Sequence, residues 1–299
     1  MKTRSTPLLV FTILGLIGAD ATRAATHKVP PAPKPLAPAP HKSPTVPSPK
    51  SAPAPAKNVL LWEAWYTIEA NGGVPYGYYS DRVEKTPDGR FHYENKTWKL
   101  EEGWINEESL GAFVLNDARL TPLFFNFWSN YRSAETQVDG TITDGKQLSV
   151  RVKTGGKELP IIKRSIPDKT SLSVVFPLWL GNAVNEGLKS GLKVGNPKTF
   201  LTIFEDDFND RFAPKSGNFR LEAPDEFSTK SGTRKVRVES RDLPSIWYIT
   251  ESGMPLRIVM PASKIIVEKA ESREKAEAFI RNAPAGNEPA NDDASQLEK

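Results

Sequence analysis

The chain has 299 residues, 38% hydrophobic and 25% charged, with a formal charge of +4, three histidines and no cysteine. The missing thiols exclude a cysteine nucleophile, a disulfide framework and a lipobox anchor. The net charge does not point to nucleic acid, because residues 1–57 carry +7 and residues 58–299 sum to −3, whereas such binding needs the basic excess on the folded domain.

Lys2 and Arg4 precede an apolar run from Leu8 to Ala19. As a helix this run is roughly 18 Å long, against a hydrocarbon core of about 30 Å. It reads as the core of a secretory signal over residues 1–24, with Ala21 and Ala24 as candidate last residues. An uncleaved anchor is the alternative. No later stretch is long and apolar enough to cross a bilayer. The expected location is periplasmic or secreted.

Residues 25–57 are Pro, Ala, Ser and Lys almost throughout. Each proline fixes φ and removes a donor, so the segment is expected to be disordered with polyproline character. It reads either as a spacer across a wall layer or as a tail that keeps the domain clear of the membrane. Its lysines suit weak, salt-sensitive contact with wall polymers or anionic lipid.

From residue 58 the pattern changes. Trp62, Ala64, Tyr66, Ile68 and Ala70 alternate with Glu63, Trp65, Thr67 and Glu69, and Asn71-Gly72 follows. Period two closed by such a dipeptide predicts a one-faced strand and a hairpin. Return strands are expected over residues 76–86, 90–101 and 104–115, with one long run over 123–138. Leu148, Val150 and Val152 alternate before Gly155-Gly156. Further strands are expected near Val236 and Val238, and over 245–251, 255–260 and 263–268.

One segment departs from this. Phe176, Leu180, Ala183, Val184, Leu188 and Leu192 recur at helical spacing, and Pro177 suits a first turn. A helix is expected from about 174 to 190, lying in the concave face of a curved sheet. A second, charged helix is expected within 269–283, and 284–299 reads as a disordered tail. The fold class is mainly β (α+β), a curved antiparallel half-barrel sheet around a central helix over residues 58–268.

The order of hairpins, apolar helix and hairpins behind a signal resembles the LolA/LolB-like lipoprotein-carrier fold and its uncharacterised periplasmic relatives. The likeness is carried by Trp65-Tyr66-Thr67-Ile68 with Gly77-Tyr78-Tyr79, by Phe176-Pro177-Leu178-Trp179, and by Trp247-Tyr248-Ile249 with Pro255-Leu256-Arg257-Ile258. It implies a hollow that holds acyl chains or a hydrophobic partner. The long proline segment departs from soluble carriers.

Reactive groups are sparse. His27 and His41 fall in the proline segment, leaving His92 in the domain, where it reads as a solvent-facing strand residue. One histidine and no cysteine argue against zinc, copper or any other cofactor site. Glu101-Glu102, Glu107-Glu108 and Asp206-Asp207 are neighbours, and neighbours on a strand point to opposite faces. The acids from Glu205 to Asp210 read as a solvated loop or, less simply, a calcium site without EF-hand spacing. Nothing here points to catalysis. The aromatics Trp98, Trp104, Phe124, Phe127 and Trp128, with Trp179, read as core or as the lining of an apolar groove. The expected function is non-enzymatic binding of a lipid, an acyl chain or an envelope partner in the concave face. The alternative is a structural or interaction module with a filled hollow.

Overall fold

A computed structural model describes residues 57–101, 104–131, 134–240 and 243–281. The signal, the proline segment up to residue 56 and the tail over 284–299 expected to be disordered lie outside these residues.

One unclosed sheet of sixteen strands dominates the molecule. Its first half runs through β1 (Val59–Ala70), β2 (Val74–Lys85), β3 (Phe91–Glu101), β4 (Trp104–Val114), β5 (Pro122–Tyr131), β6 (Ala134–Thr143) and β7 (Gln147–Thr154). The short β8 (Lys157–Glu158) and β9 (Ile162–Ser165) both pair with β7. The second half holds β10 (Thr170–Leu172), β11 (Lys198–Ile203), β12 (Lys215–Leu221), β13 (Arg234–Ser240), β14 (Leu243–Ile249), β15 (Pro255–Met260) and β16 (Ile265–Lys269). β16 pairs with β1 and joins the halves. Every pairing is antiparallel except β10 with β11.

The expected turns form for the expected reason. Asn71 and Gly72 have φ of 50° and 77°, and Gly155 and Gly156 have 54° and 78°, the paired positive values that a tight hairpin needs. Two expectations need correction. The run over 123–138 is two strands, β5 and β6, folded back on each other with Phe127 opposite Val138. The second helix, α3 (Arg273–Arg281), starts later than 269, because Lys269 still pairs with Tyr66 as the last rung of β16. The strands β10 to β12 and the short helix α2 (Glu226–Ser231), capped by Asp225, carry no sequence expectation.

The helix α1 (Phe176–Lys189) occupies the hollow, with proline in its first turn. Phe176, Leu180 and Val184 form a stripe at four-residue spacing and pack into a core of Tyr66, Tyr79, Phe200, Val236, Trp247 and Ile258. Val175 and Leu178 face a second core with Tyr93, Leu110, Phe125, Phe127 and Val150. Trp62 and Trp179 touch both. Each buried apolar side chain contributes roughly 1.5–3 kcal/mol before entropy, so α1 is what gives the two halves a common interior.

Gly181 lets α1 seat. A Cβ there would overlap the Gly253 Cα in the β14–β15 turn, and Gly253 itself has φ of 87°. Backbone cannot step aside as a side-chain tip can. Gly181→Ala is therefore expected to destabilise by about 1–3 kcal/mol despite alanine's better helix propensity. Urea unfolding followed by circular dichroism measures this, and an unchanged or raised midpoint would refute the contact.

Candidate functional site

Strand parity sorts the six aromatics read as a groove lining. Phe127 lies on the inner face and is 4% exposed. Trp179 is half-buried on α1, with its ring 5.6 Å from Phe200 and 5.8 Å from Phe219. Trp104 begins β4 and is 62% exposed. Trp98, Phe124 and Trp128 stand on the outer face. Trp98 stacks on Tyr78 at 4.7 Å and donates to Glu107 at 3.2 Å. Trp128 donates to Glu135 at 2.8 Å, and Phe124 pairs with Phe113 across the ladder. The six thus do not form one lining, since Phe124 and Phe127, three apart on a strand, point to opposite sides.

The acids sort the same way. Glu107 meets Trp98 outside, while Glu108 pairs inside with Lys99 at 2.8 Å, both nearly unexposed. Glu101, also inward, accepts from the Tyr76 hydroxyl and from Asn106 at 3.0 Å. His92 is half-buried rather than solvent-facing. Its ring stacks on Phe113 at 4.3 Å, and Glu84 and Glu94 each lie 3.8 Å from a ring nitrogen. Glu205 is not in a solvated loop. It is 1% exposed and accepts from the Ser173 hydroxyl and, at 3.1 Å, from the Val174 N–H. Lys215 reaches Asp207 at 3.7 Å and also pairs with Asp210, so the chain brings its own cation to that cluster. Among the described residues no group of three or more His, Cys, Asp or Glu could hold a metal. No described helix is long and apolar enough to cross a membrane.

The inner face carries a pocket with a buried carboxyl in it that the sequence reading missed. Tyr79, Asp81 and Val83 alternate inward on β2, and Asp81 sits opposite Asn95 on β3. Asn95 donates to Asp81 at 2.7 Å and accepts from Thr97 at 2.9 Å. A cavity of about 30 Å³ opens beside them, walled by Tyr79, Tyr93, Leu110, Trp247 and Pro255 and, from the entry to α1, by Ser173, Val174 and Pro177. A water needs roughly 10–15 Å³ on this measure, so about two would fit. An acyl chain would not, since ligand pockets run to about 300–1,000 Å³.

The hydroxyls of Tyr66, Tyr79 and Tyr93 are buried without a hydrogen-bond partner. Tyr93 lies close enough to Asp81 to lower its pKa without reaching bonding geometry. Burial dominates and pushes the Asp81 carboxyl up to about 7, against the Asn95 and Tyr93 contributions. Burial likewise pushes Glu205 up to about 7, against Ser173 and the Val174 N–H. Burial raises all three tyrosines well above their usual value. One signal for the pocket was in the sequence: Asp81 shares the parity of Tyr79 and Val83, which puts a carboxylate on an apolar strand face.

No family model matches the chain, and no curated protein matches it. Among solved structures it is similar to a β-barrel-like protein of a domain of unknown function, DUF1849, from Brucella abortus, with 11% identity and a TM-score of 0.48 over 72% of this chain and 96% of that one. It is also similar to a DUF1089 family protein from Pseudomonas aeruginosa, with 13% identity and a TM-score of 0.33 over 70% of this chain and 94% of that one.

The raised carboxyls set a pH dependence. Native Asp81 and Glu205 hold protons that the unfolded chain, near 3.8 and 4.5, has already lost. Stability is therefore full below about pH 4 on account of these groups and falls as pH rises to about 7, by at most some 4 kcal/mol for Asp81. Asp81→Asn should flatten part of that slope and raise the melting temperature at pH 8. Melting curves from pH 4 to 8 check it, and a wild-type slope kept intact in the variant would refute the assignment.

Proposed function

We propose that this chain is an exported, non-enzymatic envelope protein that works as an interaction module on a half-barrel of LolA/LolB-like type. The observation that carries this reading is the filled hollow. Phe176, Leu180 and Val184 occupy the space that a carrier would leave for acyl chains, and the cavity beside them is water-sized, its mostly apolar walls interrupted by Asp81 and Asn95. Export rests on the Lys2–Ala24 pattern, and the absence of catalysis rests on the scatter of His92 and the acids over both faces.

Contact with a partner is expected along β1. β16 reaches β1 only from Ala70 back to Tyr66. Beyond it Val59, Leu60 and Leu61 are 61%, 48% and 45% exposed. Among the described residues no strand pairs with this stretch on that side, and such an edge with apolar side chains is a template for strand addition. The lipid-carrier reading would need α1 to leave the sheet and give up its stripe.

Two measurements separate these readings. The delipidated protein should show no saturable uptake of a fluorescent fatty acid, and uptake displaced by palmitate would replace the module with a carrier. A photocrosslinking residue at Leu60 should capture a discrete envelope protein in cells, while one at Lys230 on α2 should not. Equal products at both positions, or none at Leu60, would remove the strand-edge contact.

A further inference from the structure

We propose that the cavity beside Asp81 is a binding site for a small primary alkylammonium ion. The site is built independently of the module reading, from groups that the fold leaves unfinished. Asp81 is 4% exposed; Asn95 donates to it at 2.7 Å and the Tyr93 hydroxyl lies beside it. Lys99, the buried cation of this face, is engaged by Glu108 at 2.8 Å. It also lies four residues along β3 from Asn95, about 13 Å at strand rise. Among the described residues that line the pocket none is a cation, and burying a charge unpaired is expensive.

The remaining walls fit the same ligand. Tyr79 and Tyr93 are 0% exposed and line the cavity; the Tyr79 hydroxyl has no partner, and the Tyr93 hydroxyl lies beside Asp81 with its oxygen free to accept. An alkylammonium has three N–H donors and no acceptor, as a lysine head does. Asp81 and the two phenol oxygens supply three acceptors. Tyr79, Tyr93 and Trp247 present aromatic surface to whatever occupies the space, and aromatic rings attract desolvated cations. An anion would meet the carboxylate, and a bulky quaternary ammonium exceeds a cavity of about 30 Å³.

The strand pairing ends close to the site. β16 is five residues long, whereas β1 has twelve. Its last bond to β1 is the Ala270 N–H to the Trp65 carbonyl, at 2.7 Å. β15 pairs with β16 only over Arg257–Met260. Among the described residues, no strand therefore joins Val59–Ala64 of β1 to Pro255 of β15. Ala64 is the rung partner of Asp81, and Pro255 is a cavity wall. Among the described residues the pairing on this side of β1 thus ends at Trp65, one residue from the rung that carries Asp81.

The test is a titration of the full mature chain with methylammonium chloride at pH 8, followed by saturation-transfer NMR from aromatic protons to the ligand methyl. Sodium chloride at matched ionic strength and tetramethylammonium serve as controls. Saturable transfer is expected for methylammonium and not for tetramethylammonium. Asp81→Asn should weaken it at least tenfold, and Tyr93→Phe, which keeps the ring and loses the hydroxyl, a few-fold. Far-UV circular dichroism of each variant reports folding. No saturable transfer in the wild type, equal binding by a folded Asp81→Asn variant, or equal binding of tetramethylammonium would overturn the site and leave a cavity that holds only water.

Discussion

The stripe of Phe176, Leu180 and Val184 is the contact on which the rest of the structure depends. A single curved sheet has one face to bury and nothing of its own to bury it against. Here the same short helix meets strands from both halves, β1 and β2 on one side and β11 to β15 on the other. Its entry, through Val175 and Leu178, seals the second core. Gly181 and Gly253 let the helix approach the β14–β15 turn to backbone distance. The sheet stays open at its ends, yet its interior is continuous because α1 supplies the missing layer.

That arrangement has a cost at the seam. Between the two apolar cores the inner face of β2, β3 and β4 carries Asp81, Asn95, Thr97, Lys99, Asn106 and Glu108, all buried. Some of these finish their bonding within the sheet, as Lys99 does with Glu108. The tyrosines around Asp81 do not. Buried polar groups without partners are rare because each forfeits its hydration. Two carboxyls that burial pushes up to about 7 lie near the entry to α1: Asp81 shares its cavity with Ser173 and Val174, and Glu205 accepts from both. The interior is thus apolar where α1 presses on it and polar where α1 begins.

The outer face is organised differently. Trp65, Tyr78 and Trp98 stack along the sheet, and α3 lies over the first of them with Arg273 5.2 Å from the Trp65 ring. Ala276 and Ile280 give α3 its buried side. Much of the aromatic content that suggests a ligand groove therefore covers the back of the sheet, where it anchors a helix and bonds to glutamates.

Local chemistry made most of the elements legible. Period-two alternation over Trp62–Ala70, the Asn71-Gly72 and Gly155-Gly156 turns, and the helical spacing from Phe176 act within a few residues of themselves, so they survive in sequence. The strands β10 to β12 did not announce themselves, because their strand state comes from pairing with one another, β10 on β11 and β11 on β12. The division of Trp98, Phe124 and Trp128 from Phe127 needed the knowledge of which face α1 covers. The pocket at Asp81 needed more, since its walls come from β2, β3, β4, β14, β15 and the entry to α1. Sequence alone determined that this chain makes one-faced strands and one apolar helix. Tertiary structure decided which face is inside and what meets there, because burial on a sheet is set by register with strands and helices far away in the chain.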